Sequence, residues 1–167
     1  MASMPPDTAD AFLVRHATAD DADELAALRW QWSNEGRTPT VERSAFVPQM
    51  ASAVRRYLDS GRWTIWIATD AATDRIVGHA YLQRIEKVPR PYPRPSAWGY
   101  VTNVYVVPEH RNAGIGRQIL DALINETRDE GMDTLLLWPS QRAVPFYLRA
   151  GFGTPANALE LALDEDG

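Results

Sequence analysis

The sequence predicts a single α/β domain built on a mixed β-sheet with helices on its faces. Its 167 residues suffice for one domain of ordinary size. The apolar patterning gives elements in the order β-α-α-β-β-β-α-β-α-β. Hairpins in the middle of this order and strand-helix-strand units near its end imply antiparallel and parallel pairing in one sheet.

The N-terminal part is predicted to contain one strand and two helices. The strand covers residues 11–16, and the helix after it has an acidic first turn with Thr18 or Asp20 as its cap. Its buried face is predicted from i, i+3, i+4, i+7 spacing at Leu25, Leu28, Arg29 and Trp32. Gly36 ends this helix, and a second one covers residues 44–58.

The rest of the chain alternates between strands and helices. β-branched and aromatic residues predict a hairpin of strands over 63–69 and 75–85. Four prolines make residues 87–95 a stiff surface loop. The remaining predicted elements are a strand over 98–107, a helix over 117–130 with the stripe Ile119, Leu120, Leu123 and Ile124, a buried central strand over 134–138, a short helix over 143–150 and a last strand over 159–163.

Composition excludes several classes of function. The chain has no cysteine, which excludes disulfides, thiolate metal sites and a cysteine nucleophile. Its three histidines are far apart, so no metal site is predicted. A net charge of -5 argues against nucleic-acid binding and slightly favours a cationic acceptor. Residues 1–10 form a predicted flexible polar tail before a domain over 11–167, and without a signal peptide or membrane span we expect a cytoplasmic protein.

The loop before the third predicted helix carries the strongest local signal. Gly114 and Gly116 allow a tight turn and a close approach of backbone to a ligand. The helix that follows offers free N–H groups and a partial positive charge, and Arg111 and Arg117 add formal charge, so the loop suits a diphosphate. A dinucleotide fingerprint fails because Ile119 stands where its third glycine belongs, and a P-loop lysine is absent. The alternative is that both glycines serve only the turn.

Two sequence motifs favour a ligand-binding role for this loop over a role in the turn alone. The first reads Val-Tyr-Val-Val-Pro-Glu-His-Arg-Asn-Ala-Gly-Ile-Gly over residues 104–116, and the second reads Ser-Gln-Arg-Ala-Val-Pro-Phe-Tyr-Leu-Arg-Ala-Gly-Phe over residues 140–152. Together with the order of elements, they resemble the GNAT N-acetyltransferase superfamily. The resemblance extends from Phe12 to Leu163 and implies a splayed, mixed sheet flanked by helices.

The resemblance also implies a set of site residues. Tyr147 matches the family's general acid, which protonates the departing thiolate, and Ser140 replaces the usual asparagine that contacts the pantetheine. An N–H near Val106 would polarise the thioester carbonyl. The predicted coenzyme-binding residues are Val104, Tyr105, Val106, Arg111, Asn112, Ala113, Gly114, Ile115, Gly116, Arg117 and Ser140. Pro145 is expected in the first turn of its helix, where no N–H is needed.

The implied activity is transfer of an acetyl group from acetyl-CoA to a primary amine by direct attack in a ternary complex. The acceptor is expected to be a small molecule, with protein amines as an alternative. Two other classes stay open: a non-catalytic acyl-CoA-binding or sensing domain, and a protein that binds a different nucleotide. Homodimers are common among folds of this kind, although the sequence identifies no interface.

Two further sets of residues are candidates around the acceptor. A general base is needed because an amine with a lysine-like pKa is protonated at neutral pH. Its candidates are His79, Glu86, Tyr105 and Glu109. Aromatic residues on the first helix and around the proline loop are candidate walls of an acceptor pocket, namely Trp30, Trp32, Tyr92 and Trp98.

Overall fold

The computed structural model describes residues 11–93, 95, 97–155, 157–161 and 163. The predicted tail over residues 1–10 lies outside them. The strands are β1 (Phe12–His16), β2 (Trp63–Asp70), β3 (Ile76–Glu86), β4 (Ala97–Val106) and β5 (Leu135–Leu136). The helices are α1 (Ala22–Ser33), α2 (Arg43–Asp59), α3 (Ile115–Asp129) and α4 (Val144–Arg149).

The five strands form one sheet in the order β1-β2-β3-β4-β5. The first four pair antiparallel with their neighbours, as the hairpin pattern predicts. β5 pairs parallel with β4, because the chain returns through α3 between them. The predicted fold class, a mixed sheet flanked by helices, is confirmed.

The core lies between the sheet and the apolar faces of the helices. Three of the four residues of the predicted α3 stripe are fully buried, namely Ile119, Leu120 and Leu123. Leu25 and Leu28 of α1 are also buried, and Trp32 packs against the core at the end of that helix. This burial fixes the N-terminal end of α3 beside the C-terminal end of β4. None of the helices in the described part of the chain has the length and apolar character to span a bilayer.

Two predictions for the C-terminal part are wrong. Residues 134–138 do not form a buried central strand, because β5 has only two residues, both half-buried, at the edge of the sheet. Among the described residues of 159–163 there is no strand, and Leu159, Leu161 and Leu163 are exposed. Their alternation is compatible with a strand, but β5 offers too short an edge for a sixth strand to pair with.

Candidate functional site

The loop between β4 and α3 has the backbone conformation of an anion site. Asn112 and Gly114 both have left-handed backbones, with φ of 65° and 80°. Gly114 is the residue that precedes the first turn of α3. The N–H groups of the residues after it have no helical acceptor, since the first turn of any helix leaves them free. The loop therefore turns successive donors and the positive end of the α3 dipole toward the same space.

That space is a cavity of about 690 Å³, which we call the large cavity. It brings together most of the residues that the two sequence motifs indicate. The predicted site residues that line it are Val104, Tyr105, Val106, Arg111, Asn112, Gly114, Ile115, Gly116, Arg117 and Tyr147. Ala113 and Ser140 are not among its lining residues.

A second cavity of about 270 Å³, the small cavity, adjoins the first along β4. The two share seven lining residues: Val104, Tyr105, Val106, Arg111, Arg142, Ala143 and Tyr147. Ser140, Trp32 and Trp138 line only the small cavity. Trp32 is thus the one residue of the four proposed aromatic walls that lies there, since Trp30 packs on Phe46, Tyr92 lines a cavity of the proline loop, and Trp98 lies in β4 opposite Ile85.

Arginines dominate the charge around the large cavity. Arg142 and Arg149 line it together with the predicted Arg111 and Arg117. The two additional arginines lie in the second sequence motif, so their position next to the family signature could have suggested them. Arg117 pairs with Asp121 at 2.8 Å. The excess of positive charge along this cavity therefore rests mainly on Arg142 and Arg149, and it favours an anionic ligand.

Arg111 is engaged by the protein itself. Its Nε donates to the Val106 carbonyl at 2.9 Å, and its Nη2 donates to both carboxylate oxygens of Glu35 at 2.9 Å. The Tyr105 hydroxyl donates to the same carboxylate at 2.7 Å. Burial acts to raise the pKa of Glu35, but these hydrogen bonds outweigh it and hold the pKa below its usual value. Arg111 therefore anchors the loop to β4 and to the segment after α1.

Tyr147 lies where the two cavities meet. It belongs to α4, and its ring packs edge-on against Phe146 and Phe152. Burial raises the pKa of Tyr147 to about 12, so the phenol is neutral and can donate a hydrogen bond at pH 7. Pro145 falls in the first turn of α4, as predicted.

The candidates for a general base differ in their surroundings. Glu86 and Glu109 are exposed, and neither lines the large or the small cavity. Burial and the hydrogen bond to Glu35 raise the pKa of Tyr105, which keeps that phenol protonated. His79 is completely buried, and burial lowers its pKa to about 4. The described residues thus assign no base, and they contain no group of three or more His, Asp or Glu side chains that could hold a metal ion.

The buried His79 should make stability depend on pH. In the unfolded chain its pKa is about 6.5, whereas in the fold it is about 4 and the cation is opposed by burial and by the charge of Arg29. The unfolded state therefore binds the proton first, and about 3 kcal/mol of stability is lost as the pH falls from 7 to 4. The free energy of unfolding, measured with urea at pH 7 and at pH 4, should therefore fall by about 3 kcal/mol less in His79→Asn than in the wild type. Parallel losses in wild type and variant would contradict a neutral, buried His79.

Comparisons with known proteins find one matching family model, a related enzyme and similar solved structures. The family model described as an acetyltransferase (GNAT) domain matches residues 61–154. A glucosamine 6-phosphate N-acetyltransferase of Trypanosoma brucei brucei is 33% identical over 91 residues, which is 54% of this chain and only 60% of the relative. A predicted acetyltransferase from Clostridium acetobutylicum, crystallised with acetyl-CoA, matches 91% of this chain and 96% of its own, with 26% identity and a TM-score of 0.73. An acetyltransferase of Trypanosoma brucei matches 91% and 99% of the two chains, with 25% identity and a TM-score of 0.67.

Proposed function

The chain belongs to the GNAT acetyltransferase family, and we propose that it transfers the acetyl group of acetyl-CoA to a primary amine of a small molecule. The observation that carries the proposal is the meeting of the large and small cavities at Val106 and Tyr147. One cavity has donors for a diphosphate, and the other is open to a second reactant. A ternary complex needs this arrangement, because both substrates must reach one point.

The large cavity suits the coenzyme on chemical grounds. The N–H groups of the first turn of α3, from Ile115 to Arg117, have no helical acceptor and suit a diphosphate, and arginines that line the cavity add charge. The C-terminal end of β4, from Val104 to Val106, lies between both cavities and offers backbone groups to the amides of the pantetheine arm. The relative from Clostridium acetobutylicum was crystallised with acetyl-CoA, which supports the same ligand here.

In the proposed reaction the acceptor nitrogen attacks the thioester carbon, and the carbon–sulfur bond then breaks. A backbone N–H near Val106 stabilises the negative oxygen of the tetrahedral intermediate. Tyr147 donates its phenolic proton, or a hydrogen bond, to the departing thiolate. The amine loses its proton to solvent or to a base outside the four candidates. No covalent enzyme intermediate is required, in keeping with a chain that lacks cysteine.

The small cavity supports a small acceptor and suggests its charge. Its volume of about 270 Å³ suits a metabolite-sized molecule, and Trp32 and Trp138 supply apolar walls. Among the described residues that line it, the charged ones are Arg111 and Arg142. This lining favours an amine that also carries an anionic group, whereas the net charge of the chain favours a cationic one. An amino sugar phosphate, the acceptor type named for the Trypanosoma brucei brucei relative, combines both properties.

The test is calorimetric titration with acetyl-CoA, coenzyme A and NAD, followed by transfer assays. We expect acetyl-CoA and coenzyme A to bind, with NAD binding about 10-fold more weakly or worse. The acceptor panel contains an amino sugar phosphate, a polyamine and a peptide with a free N-terminus. Coenzyme binding without turnover on any acceptor would indicate a sensing domain. Tighter binding of NAD would indicate a different nucleotide site, and turnover on the peptide alone would indicate a protein acceptor.

A further inference from the structure

Strand β4 carries an irregularity just before the three residues that line both cavities. His79 lies opposite Tyr105, and Tyr81 lies opposite Thr102, so two steps along β3 correspond to three along β4. The extra residue of β4 falls at Asn103 or its neighbour, and Asn103 has a left-handed backbone with φ of 50°. A bulge of this kind re-aims the residues that follow it. Those residues, Val104 to Val106, line both cavities.

The backbone of Asn103 is held by His79. The Nδ1 atom of this histidine lies 2.7 Å from the Asn103 carbonyl oxygen. A carbonyl oxygen only accepts, so Nδ1 must carry the hydrogen and donate. The side chain is completely buried, and among the described residues its Nε2 has no hydrogen-bond partner. Because its side chain is completely buried and donates to a carbonyl, His79 is better suited to holding the bulge than to acting as a base.

The side chain of Asn103 is held from another element. Arg29 of α1 donates from Nη1 to Asn103 Oδ1 at 3.1 Å. The Cζ atom of Arg29 lies 4.7 Å from the centre of the Trp32 ring, and Trp32 lines the small cavity. Asparagine tolerates a left-handed backbone better than most residues, and two external hydrogen bonds stabilise that conformation further. Strand β3 and helix α1 thus converge on one residue of β4.

We propose that His79, supported by Arg29, is a positioning residue for acetyl transfer. By fixing the left-handed conformation of Asn103, it sets the direction of the Val104–Val106 backbone, which meets the pantetheine arm and the thioester carbonyl. The proposal rests on the proposed function for its chemistry. It explains why a polar side chain is placed in the sheet with one nitrogen unsatisfied, an arrangement that costs stability. It also links α1, whose Trp32 lines the small cavity, to the strand proposed to contact acetyl-CoA.

The experiment compares His79→Phe with His79→Asn. Phenylalanine keeps a ring but removes the donor, whereas the side-chain amide of asparagine can place its nitrogen where Nδ1 was. We expect His79→Phe to lower kcat about 10- to 100-fold with little change in KM for acetyl-CoA, and His79→Asn to recover most of the loss. Backbone amide NMR shifts of Val104–Val106 should move in the first variant only. Equal losses in both variants with unmoved amide shifts would overturn the proposal.

A second pair of variants avoids the buried core. Glycine adopts a left-handed backbone freely, so Asn103→Gly keeps the carbonyl that His79 holds and loses only the hydrogen bond from Arg29, and it should lower kcat much less than a residue that resists this backbone. A β-branched residue resists that conformation, so Asn103→Val should lower kcat as His79→Phe does. Equal rates in these two variants would also overturn the proposal. If the wild type transfers no acetyl group, the proposed function fails, while the amide shifts of both pairs still test the positioning of β4.

Discussion

Replacing Tyr147 by phenylalanine is expected to lower kcat by about two to four orders of magnitude, the range that a positioned general acid contributes. The substitution removes only the hydroxyl group, and the ring keeps its contacts with Phe146 and Phe152. The phenol lies where the large and small cavities meet, and burial raises its pKa to about 12. It therefore stays protonated at neutral pH and is available as a donor when the thiolate leaves.

The measurement is steady-state kinetics with the best acceptor, together with calorimetric titration of acetyl-CoA. Binding should change little, because the proposed role acts on the transition state and not on the bound coenzyme. Tyr57→Phe is the matched control, since Tyr57 stacks on Trp63 and lines neither cavity. Its kcat should equal that of the wild type. An unchanged kcat in Tyr147→Phe would show that the thiolate takes its proton from another source.

The features that could be predicted from the sequence are those whose cause is local. Helix α3 follows from its apolar stripe, and the conformation of the loop before it follows from Gly114 at the helix entry. The observed bounds of α3 differ from the predicted ones by only one or two residues, as helix ends commonly do. Both motifs come together at one cavity because β4 and β5 pair in parallel. Their C-terminal ends, and the helices α3 and α4 that follow them, therefore lie at the same end of the sheet.

The features that could not be predicted depend on contacts between distant residues. Glu35 lies 76 positions before Arg111, and nothing around it in the sequence marks it as the anchor of the loop between β4 and α3. The hydrogen bond from Arg29 to Asn103 likewise joins residues 74 positions apart. The predicted strand over 159–163 failed for a related reason. Alternating leucines show that a segment is able to form a strand, whereas its pairing depends on a free edge strand of sufficient length elsewhere in the sheet.

The two glycines at the start of α3, Gly114 and Gly116, have different roles, and their variants should separate them. Gly114 has φ of 80°, and a Cβ there would meet nothing within 4 Å. Its replacement by alanine should therefore cost roughly 1–2 kcal/mol through backbone strain alone, with asparagine costing less. Gly116 has no such backbone requirement. A Cβ there would lie 3.5 Å from Val106 Cγ2 and 3.6 Å from the Phe146 ring, which are ordinary contacts.

Gly116→Ala should therefore fold and bind the coenzyme, whereas Gly116→Phe should weaken acetyl-CoA binding by about 100-fold or more, equivalent to roughly 2.7 kcal/mol. Beyond its Cβ, the larger side chain has to enter the large cavity and occupy the space that the diphosphate needs. Calorimetric titration gives the affinities, and thermal unfolding shows that Gly116→Phe is folded. Undiminished binding in a folded Gly116→Phe would place the coenzyme elsewhere and remove the basis for the proposed reaction. Loss in Gly116→Phe but not in Gly116→Ala would show that the space above this residue, and not the flexibility of glycine, is what the coenzyme uses.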